Sequence, residues 1–148
     1  MKEVGLSTDI SNRSRDRPAL SSCRDPTVLV DAGQELLARD GWHVELTGKS
    51  ADGGIDIFAL NRVGSVRHSM LVQAKRYASH RKVGVSVVRE VLYLVERHRV
   101  NSGLIATTSH FTEVASRERE LHNWRLGLRD KEAILEWLNS HAKKSSSS

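Results

Sequence analysis

The chain has one cysteine, Cys23, among its 148 residues, so it cannot form an intrachain disulfide bond. This scarcity favours a reducing, cytoplasmic setting. No apolar run approaches the roughly 18 residues that a membrane helix requires, and the polar, Arg- and Ser-rich residues 1–25 lack the hydrophobic core of a secretory signal. We therefore expect a cytoplasmic protein without a membrane partner.

Aromatic residues make up only 5% of the chain, whereas charged residues make up 28% and hydrophobic residues 39%. This composition is typical of a globular domain, and the length suits one domain with a real core. We expect a flexible arm over residues 1–25, one domain over residues 26–142 and a disordered low-complexity tail over residues 143–148. A net charge of +5 favours a polyanionic partner such as DNA.

Hydrophobic periodicity predicts alternating elements in the order αβββαβαβα. Pro26 and Gly41 suit the start and the end of the first helix, and the alternating segments that follow predict a three-strand meander. Thr112 is a candidate N-cap of the third helix. The other predicted elements, in chain order, are the second helix, a short buried strand, an edge strand and a closing helix. Their segments are VGVSVVREVLYLVERHRV, SGLIATT, WRLGLRD and KEAILEWLNSHA.

Two strands of this meander carry polar residues at positions expected to be buried. Gln73 and Lys75 are two residues apart in a strand and therefore project to the same face. Asp56 lies between Ile55 and Ile57, which we expect to face one core layer, so that the carboxylate faces the other way. In a suitable register the three polar groups converge.

A buried carboxylate beside a buried ammonium is costly unless it is paired or bound to a metal, and Mg²⁺ prefers oxygen ligands. Asp56, the side-chain oxygen of Gln73 and the carbonyl of Ala74 are the expected ligands. Lys75 would orient or deprotonate a water molecule and offset negative charge on a phosphorane-like transition state. A purely structural ion pair is the alternative.

Four segments in order, DGGIDIFA, VQAKRY, VREVL and GLIATTSHFT, resemble the catalytic domain of Mrr-like restriction endonucleases, in the PD-(D/E)xK nuclease superfamily. The resemblance extends from about Leu29 to Asn139. It implies an αβββαβ core in a three-layer α/β/α fold with a mixed central sheet. By this resemblance Asp56 is the motif aspartate, and Gln73 with Lys75 forms the QxK variant of the second half-motif.

The resemblance also implies magnesium-dependent hydrolysis of DNA phosphodiesters, with Mn²⁺ as a substitute, often on modified DNA and with recognition carried by a separate domain. Family members usually have a metal-facing glutamate in the first helix, but that place falls near Val30 here. Asp31 or Glu35 would have to substitute as metal ligands, although either is equally compatible with a solvated helix face.

The expected DNA contacts surround this site. A positive φ at Gly53 and Gly54 would let the backbone approach a phosphate, although a tight turn also explains these glycines. A hydroxyl-rich segment precedes a helix and could bind phosphate through its amides or simply cap the helix. The predicted DNA-binding residues are Lys49, Gly53, Gly54, Arg76, Arg81, Lys82, Thr107, Thr108 and Ser109. The seven histidines, including His110, lack paired zinc spacing, so no zinc is assigned.

Three functions remain open at this stage. A metal-dependent DNA endonuclease is favoured, a catalytically silent DNA-binding or accessory subunit on the same fold is second, and a structure-specific, junction-type nuclease is third. The expected partner is DNA, with a homodimer or a separate DNA-recognition protein as further partners. Nothing in the sequence specifies the target sequence, modification or structure.

Overall fold

The structure is a computed structural model that describes residues 26–47, 54–78 and 80–147. Two predicted DNA-binding residues, Lys49 and Gly53, lie outside the described residues. Within these ranges the elements follow the predicted order: α1 (Pro26–Arg39), β1 (His43–Leu46), β2 (Ile57–Val63), β3 (Val66–Lys75), α2 (Val85–His98), β4 (Ser102–Thr107), α3 (Glu113–Glu120), β5 (Leu126–Arg129) and α4 (Lys131–Ser147). None of the described helices is long and apolar enough to cross a membrane.

The five strands form one mixed sheet in the order β1-β2-β3-β4-β5. The first three strands are an antiparallel meander, as predicted, and β5 lies at the edge of the sheet, also as predicted. β4 runs parallel to both β3 and β5. Parallel neighbours require a crossover, and the connecting segments provide it through α2 and α3. The carboxyl ends of β3, β4 and β5 therefore lie side by side, and we call this side of the sheet its carboxyl edge.

Each face of the sheet packs against its own pair of helices. On one face, Ile57 and Val72 pack with Leu37 of α1, and Trp137 of α4 joins the same cluster. On the other face, the valines of α2 cover Leu71 and Ile105, together with Ala115 of α3. This arrangement is the three-layer α/β/α sandwich with a mixed sheet that the sequence led us to expect.

The expectation that Ile55 and Ile57 share one core layer is wrong. Ile55 packs with the α2 cluster, whereas Ile57 packs with the α1 cluster on the opposite face. The reason is that β2 begins only at Ile57, after a turn in which Gly54 has φ +97°. Strand alternation therefore does not apply to Ile55.

Helix α4 continues past Ala142, so the tail predicted to begin at residue 143 is helical from residue 143 to Ser147. Neither serine nor lysine breaks a helix, and no glycine or proline follows Ala142. A low-complexity composition thus marked this segment as a tail although its residues are compatible with another helical turn.

Gly103 of β4 allows α2 to lie close to the sheet. A Cβ atom at this position would lie 2.9 Å from Val91 Cγ1 and 2.9 Å from Val95 Cγ2, closer than carbon atoms normally approach. Both valines are buried in the α2 cluster and have little room to move.

We expect Gly103→Ala to lower the free energy of unfolding by about 1–3 kcal/mol through overpacking. Gly33→Ala is the matched control, because its Cβ would make an ordinary contact of 3.6 Å with Ile57 Cδ1. In the interior of α1 that change should raise the free energy of unfolding by about 0.5–1 kcal/mol. Urea titration of both variants measures these effects, and equal stability of the two variants would contradict the close approach of α2.

Candidate active site

Asp56 is held between two strands immediately before β2 begins. Its backbone N–H donates to the carbonyl of Val72 at 2.9 Å, and its carbonyl accepts from the backbone N–H of Thr47 at 3.1 Å. The Thr47 hydroxyl also donates to the carbonyl of Ile55. These bonds link the end of β1, the start of β2 and the end of β3, so the position of the Asp56 side chain is determined by the sheet.

The Asp56 carboxylate is half-buried and points towards the carboxyl end of β3. Its Oδ2 atom accepts a hydrogen bond from the backbone N–H of Ala74 at 2.7 Å. Burial raises the pKa of the Asp56 carboxyl above its ordinary value, while the Ala74 hydrogen bond and the charge of Lys75 lower that pKa in part. Desolvation is therefore the largest of the three effects on this pKa.

Gln73 presents a buried acceptor. Its side chain is 1% exposed, and its Oε1 atom has no hydrogen-bond partner among the described residues. The register that places Ile57 opposite Val72 brings Asp56 beside Gln73. An unsatisfied buried amide oxygen is rare in proteins and costs roughly 1–3 kcal/mol. Such an atom is a candidate oxygen ligand for a cation.

Gly54 makes room for the Gln73 amide. A Cβ atom at Gly54 would lie 2.5 Å from Gln73 Nε2, and the φ of +97° is unfavourable for any other residue type. The predicted turn role of this glycine is therefore confirmed, and the close approach that requires it is to Gln73. The sequence alone did not indicate this contact.

Lys75 is the last residue of β3 and is half-buried. It pairs with Thr107 of β4, whose hydroxyl donates to the Lys75 carbonyl at 2.7 Å. Alternation along β3 places the side chains of Lys75 and Gln73 on the same face. The structure thus brings Asp56, Gln73 and Lys75 to one end of β3, at the shared carboxyl edge of the parallel strands.

The hydroxyl residues at the end of β4 and just after it donate hydrogen bonds to backbone carbonyls. Thr107, Thr108 and Ser109 are all buried. Thr108 donates to the carbonyl of Tyr77 at 2.9 Å, and Ser109 donates to the carbonyl of Arg81. Together with the bond to Lys75, these contacts support the segment that follows β3. These hydrogen bonds therefore fix the backbone of the segment. The three hydroxyl residues are buried, which does not favour direct contact with a phosphate.

The basic residues carried by that segment are exposed. Arg76, Arg81 and Lys82 all lie on the surface just beyond Lys75, and the Arg81 guanidinium stacks 4.2 Å from the ring centre of Tyr77. The three cations are therefore exposed to solvent near the site, and their contact with DNA stays a prediction. Arginine stacked on an aromatic ring keeps its charge available to a phosphate while losing little conformational freedom on binding.

The α1 acids are not directed towards the sheet. Gly33 faces Ile57, and at about 100° per residue both Asp31 and Glu35 project about 160° away from Gly33. Glu35 also forms an ion pair with Arg39 at 2.6 Å. Val30, at the position where the resemblance expects a glutamate, packs against the apolar cluster of Ile57. The geometry therefore favours neither acid as a ligand beside Asp56.

One group of potential ligands was not predicted from the sequence. Single ligand atoms of His110, Asp130 and Glu132 lie within 4.8 Å of one another. However, Asp130 Oδ1 already accepts from the backbone N–H of Ala133 and caps α4, and Glu132 is exposed. Sequence spacing could not reveal the group, because it joins the ends of β4 and β5 only in the folded sheet.

Comparison with known proteins agrees with this arrangement. The family described as restriction endonuclease, Mrr-type catalytic domain, matches residues 24–138. No curated protein sequence matches the chain significantly.

Three solved structures share the fold. The DNA modification-dependent restriction endonuclease AspBHI superposes with a TM-score of 0.64 at 22% identity, over 76% of this chain and 31% of its own. The MspJI restriction endonuclease, solved in complex with a 27-mer oligonucleotide, gives 0.57 at 21% identity, over 88% of this chain and 29% of its own. A protein of unknown function, AF1548, gives 0.54 at 19% identity, over 70% and 61%. The chain thus spans about a third of either restriction enzyme.

The raised pKa of Asp56 predicts a pH-dependent cost to stability. Because the folded state binds this proton more tightly than the unfolded state, stability falls as the pH rises from the unfolded pKa through the folded pKa, and the full cost is present above both. In metal-free protein, Asp56→Asn should therefore raise the thermal midpoint at neutral pH, and the gain should shrink as the pH falls towards about 4.

Scanning calorimetry in chelator tests this expectation. Glu45→Gln, which neutralises an exposed carboxylate of β1, is the matched control and should leave the midpoint nearly unchanged. A less stable Asp56→Asn protein at neutral pH would show that the carboxylate is a stabilising structural group.

Proposed function

Since this chain belongs to the restriction endonuclease family with the Mrr-type catalytic domain, we propose that it hydrolyses DNA phosphodiester bonds at Asp56, Gln73 and Lys75 with a divalent metal ion. The observation that carries the proposal is the buried Gln73 Oε1 atom, which lacks a hydrogen-bond partner among the described residues and lies beside a carboxyl with a raised pKa. Perturbed titration and an unsatisfied buried acceptor are both typical of functional sites.

The donor set fits a hard cation. Asp56 contributes a carboxylate oxygen, Gln73 an amide oxygen, and the Ala74 carbonyl is the third proposed ligand; all three are oxygens of the kind that Mg²⁺ or Mn²⁺ prefers. A bound ion would supply Lewis-acid polarisation of the phosphate and would lower the pKa of a bound water. The Ala74 N–H holds Asp56 Oδ2 and leaves Oδ1 available for the ligand role.

Lys75 supplies positive charge where the reaction develops negative charge. The charge of this half-buried residue lowers the pKa of Asp56 in part, and its side chain lies on the same strand face as Gln73. There it would orient the attacking water and stabilise the phosphorane-like transition state. Such preorganised charge in a partly desolvated site is worth more than the same charge in water.

Binding of DNA would rest on the exposed cations that follow β3. Arg76, Arg81 and Lys82 form a basic flank beside the site and would neutralise backbone phosphates, which gives affinity with little sequence preference. Because the chain spans about a third of the restriction enzymes with which it superposes, we propose that target recognition comes from additional sequence, a partner protein or a second copy.

A catalytically silent DNA-binding subunit is the second candidate function. The observation that favours it is Val30, a half-buried apolar residue that packs against the core at the place where the family usually carries a metal-facing glutamate. A site with one ligand fewer would hold its cation less tightly.

We expect Lys75→Ala to abolish cleavage while DNA affinity changes little, because the ammonium acts mainly in the transition state. Nicking of supercoiled plasmid in Mg²⁺ or Mn²⁺, against chelator, measures cleavage. Arg67→Ala, at the opposite end of β3, is the control and should cut normally. Wild-type cleavage by Lys75→Ala would reject the assignment, and an inactive wild type that still binds DNA would identify the silent subunit.

Affinity for DNA should depend steeply on salt. If about four to six phosphates are contacted, the plot of log K against log salt should have a slope of about −4 to −5. Arg76→Ala should make that slope shallower by about one, whereas Arg67→Ala should not change it. The titration uses one duplex over a salt series with Ca²⁺ in place of Mg²⁺. Identical slopes for wild type and Arg76→Ala would exclude the basic flank as the DNA-contacting surface.

A further inference from the structure

A second feature of the molecule lies away from the candidate active site. All three tryptophans of the chain, Trp42, Trp124 and Trp137, line one cavity of about 270 Å³. The cavity opens on the α1 and α4 side of the sheet, where β4 and β5 begin. Aromatic residues make up only 5% of the sequence, so their collection at one cavity is not expected from composition.

The inner part of the cavity is apolar. Met70 and Leu104 belong to the sheet face covered by α1, and both also line the cavity. Gly127 of β5 lies beside them, and a Cβ atom there would come within 3.2 Å of Leu104 Cδ1. The absence of a side chain at Gly127 therefore leaves space between the sheet and the indole rings.

The outer part carries positive charge. Arg119, Arg125 and Arg129 line the cavity, and Asp40 is the one acid among the lining residues. Arg125 is paired with Glu96 at 2.9 Å, whereas Arg129 lies over the Trp137 ring at 5.2 Å.

The Asp40 carboxylate is already engaged. Its Oδ2 accepts from Trp137 Nε1 at 2.9 Å, and its Oδ1 lies 2.8 Å from Nε2 of the buried His141. These contacts hold the Trp137 ring in place and direct the acid towards protein partners. Arg119 donates from Nε to the carbonyl of Leu126 at 3.0 Å and lies 3.8 Å from Glu120, so the cationic character of the opening depends mainly on Arg129.

We propose that this cavity binds one unpaired nucleotide of a DNA strand, with the base against the tryptophans and the phosphate at the arginines. Flat indole rings beside a guanidinium match a heterocyclic base that carries an anionic group, and each stacked base contributes substantially to binding. A base inside a duplex is covered on both faces by its neighbours, so only an unstacked nucleotide can enter.

The cavity is separate from the candidate active site. Met70 pairs with Ser102 beside the cavity, whereas Lys75 pairs with Thr107 at the site. Five residues of strand, about 17 Å, lie between these pairs.

Arg129 is the lining residue that comes level with the site, because it pairs with Ala106, which pairs with Ala74. Its guanidinium lies over Trp137 of α4, however, on the face of the sheet opposite to the side chain of Lys75. The inference therefore goes beyond the proposed cleavage and does not depend on it.

Intrinsic fluorescence tests the proposal directly, because every tryptophan of the chain lines the cavity. In chelator, a short oligothymidylate should quench the fluorescence saturably and bind at least about fivefold more tightly than an abasic strand of equal length. Thymidine monophosphate should compete, because one nucleotide carries the recognised chemistry. The absence of quenching, or equal affinity for the abasic strand or for a duplex, would overturn the proposal.

Variants separate this cavity from the rest of the DNA-binding surface. Trp124→Ala removes a ring that is 70% exposed, so folding should be retained, and the other two tryptophans still report binding. We expect about fivefold weaker oligothymidylate binding for Trp124→Ala and for Arg129→Gln. Tyr93→Ala, which removes a 60% exposed aromatic ring of α2, is the matched control. Unchanged affinity in Trp124→Ala, or an equal loss in Tyr93→Ala, would reject the site.

Lys75→Ala distinguishes this proposal from the proposed function. Oligothymidylate quenching should be unchanged in that variant whether or not the wild type cleaves DNA. A loss of quenching in Lys75→Ala would instead place the unpaired strand at the carboxyl edge of the sheet and overturn the separate cavity.

Discussion

The hydrogen bond from the Ala74 N–H to the Asp56 carboxylate is the contact on which the arrangement of the site depends. Asp56 precedes β2 and has no strand alternation to direct it, so this bond and the backbone bond to Val72 determine where the carboxylate lies. The same contact draws the acid towards Gln73 and Lys75. A hydrogen bond to the ionised form also opposes the desolvation that raises the pKa of this carboxyl.

The site contains buried polar groups that lower the stability of the folded protein. Gln73 Oε1 is buried without a hydrogen-bond partner among the described residues, and burial of the Asp56 carboxyl raises its pKa and so disfavours its charged form. Each of these buried groups lowers the free energy of unfolding in the metal-free protein. A bound cation would be a partner for both the amide oxygen and the carboxylate. The surrounding apolar layers stabilise the fold, and four valines of α2 are buried there: Val87, Val88, Val91 and Val95.

Support for the site comes mainly from β4. The Thr107 and Thr108 hydroxyls hold the backbone of the segment that runs from Lys75 to Tyr77, and this segment presents Arg76 and its neighbours to solvent. Strand β3 therefore carries Gln73 and Lys75, and the hydrogen-bonded segment that follows it carries the exposed cations. The Trp and Arg cavity at the other end of β4 uses the same sheet but a different face.

Periodicity alone determined the order of helices and strands and the pairing of Gln73 with Lys75 on one strand face, because these features depend on local repeats of 3.6 and 2 residues. The motif residues also identified the family. Only the tertiary structure decided that Ile55 and Ile57 face opposite layers, because the turn at Gly54 interrupts the alternation. The tertiary structure also decided three contacts between residues far apart in the chain. Thr107 is buried against Lys75, Gly54 lies against the Gln73 amide, and three tryptophans line one cavity. Such contacts depend on how the strands are ordered and how closely the helices pack, which no local sequence pattern specifies.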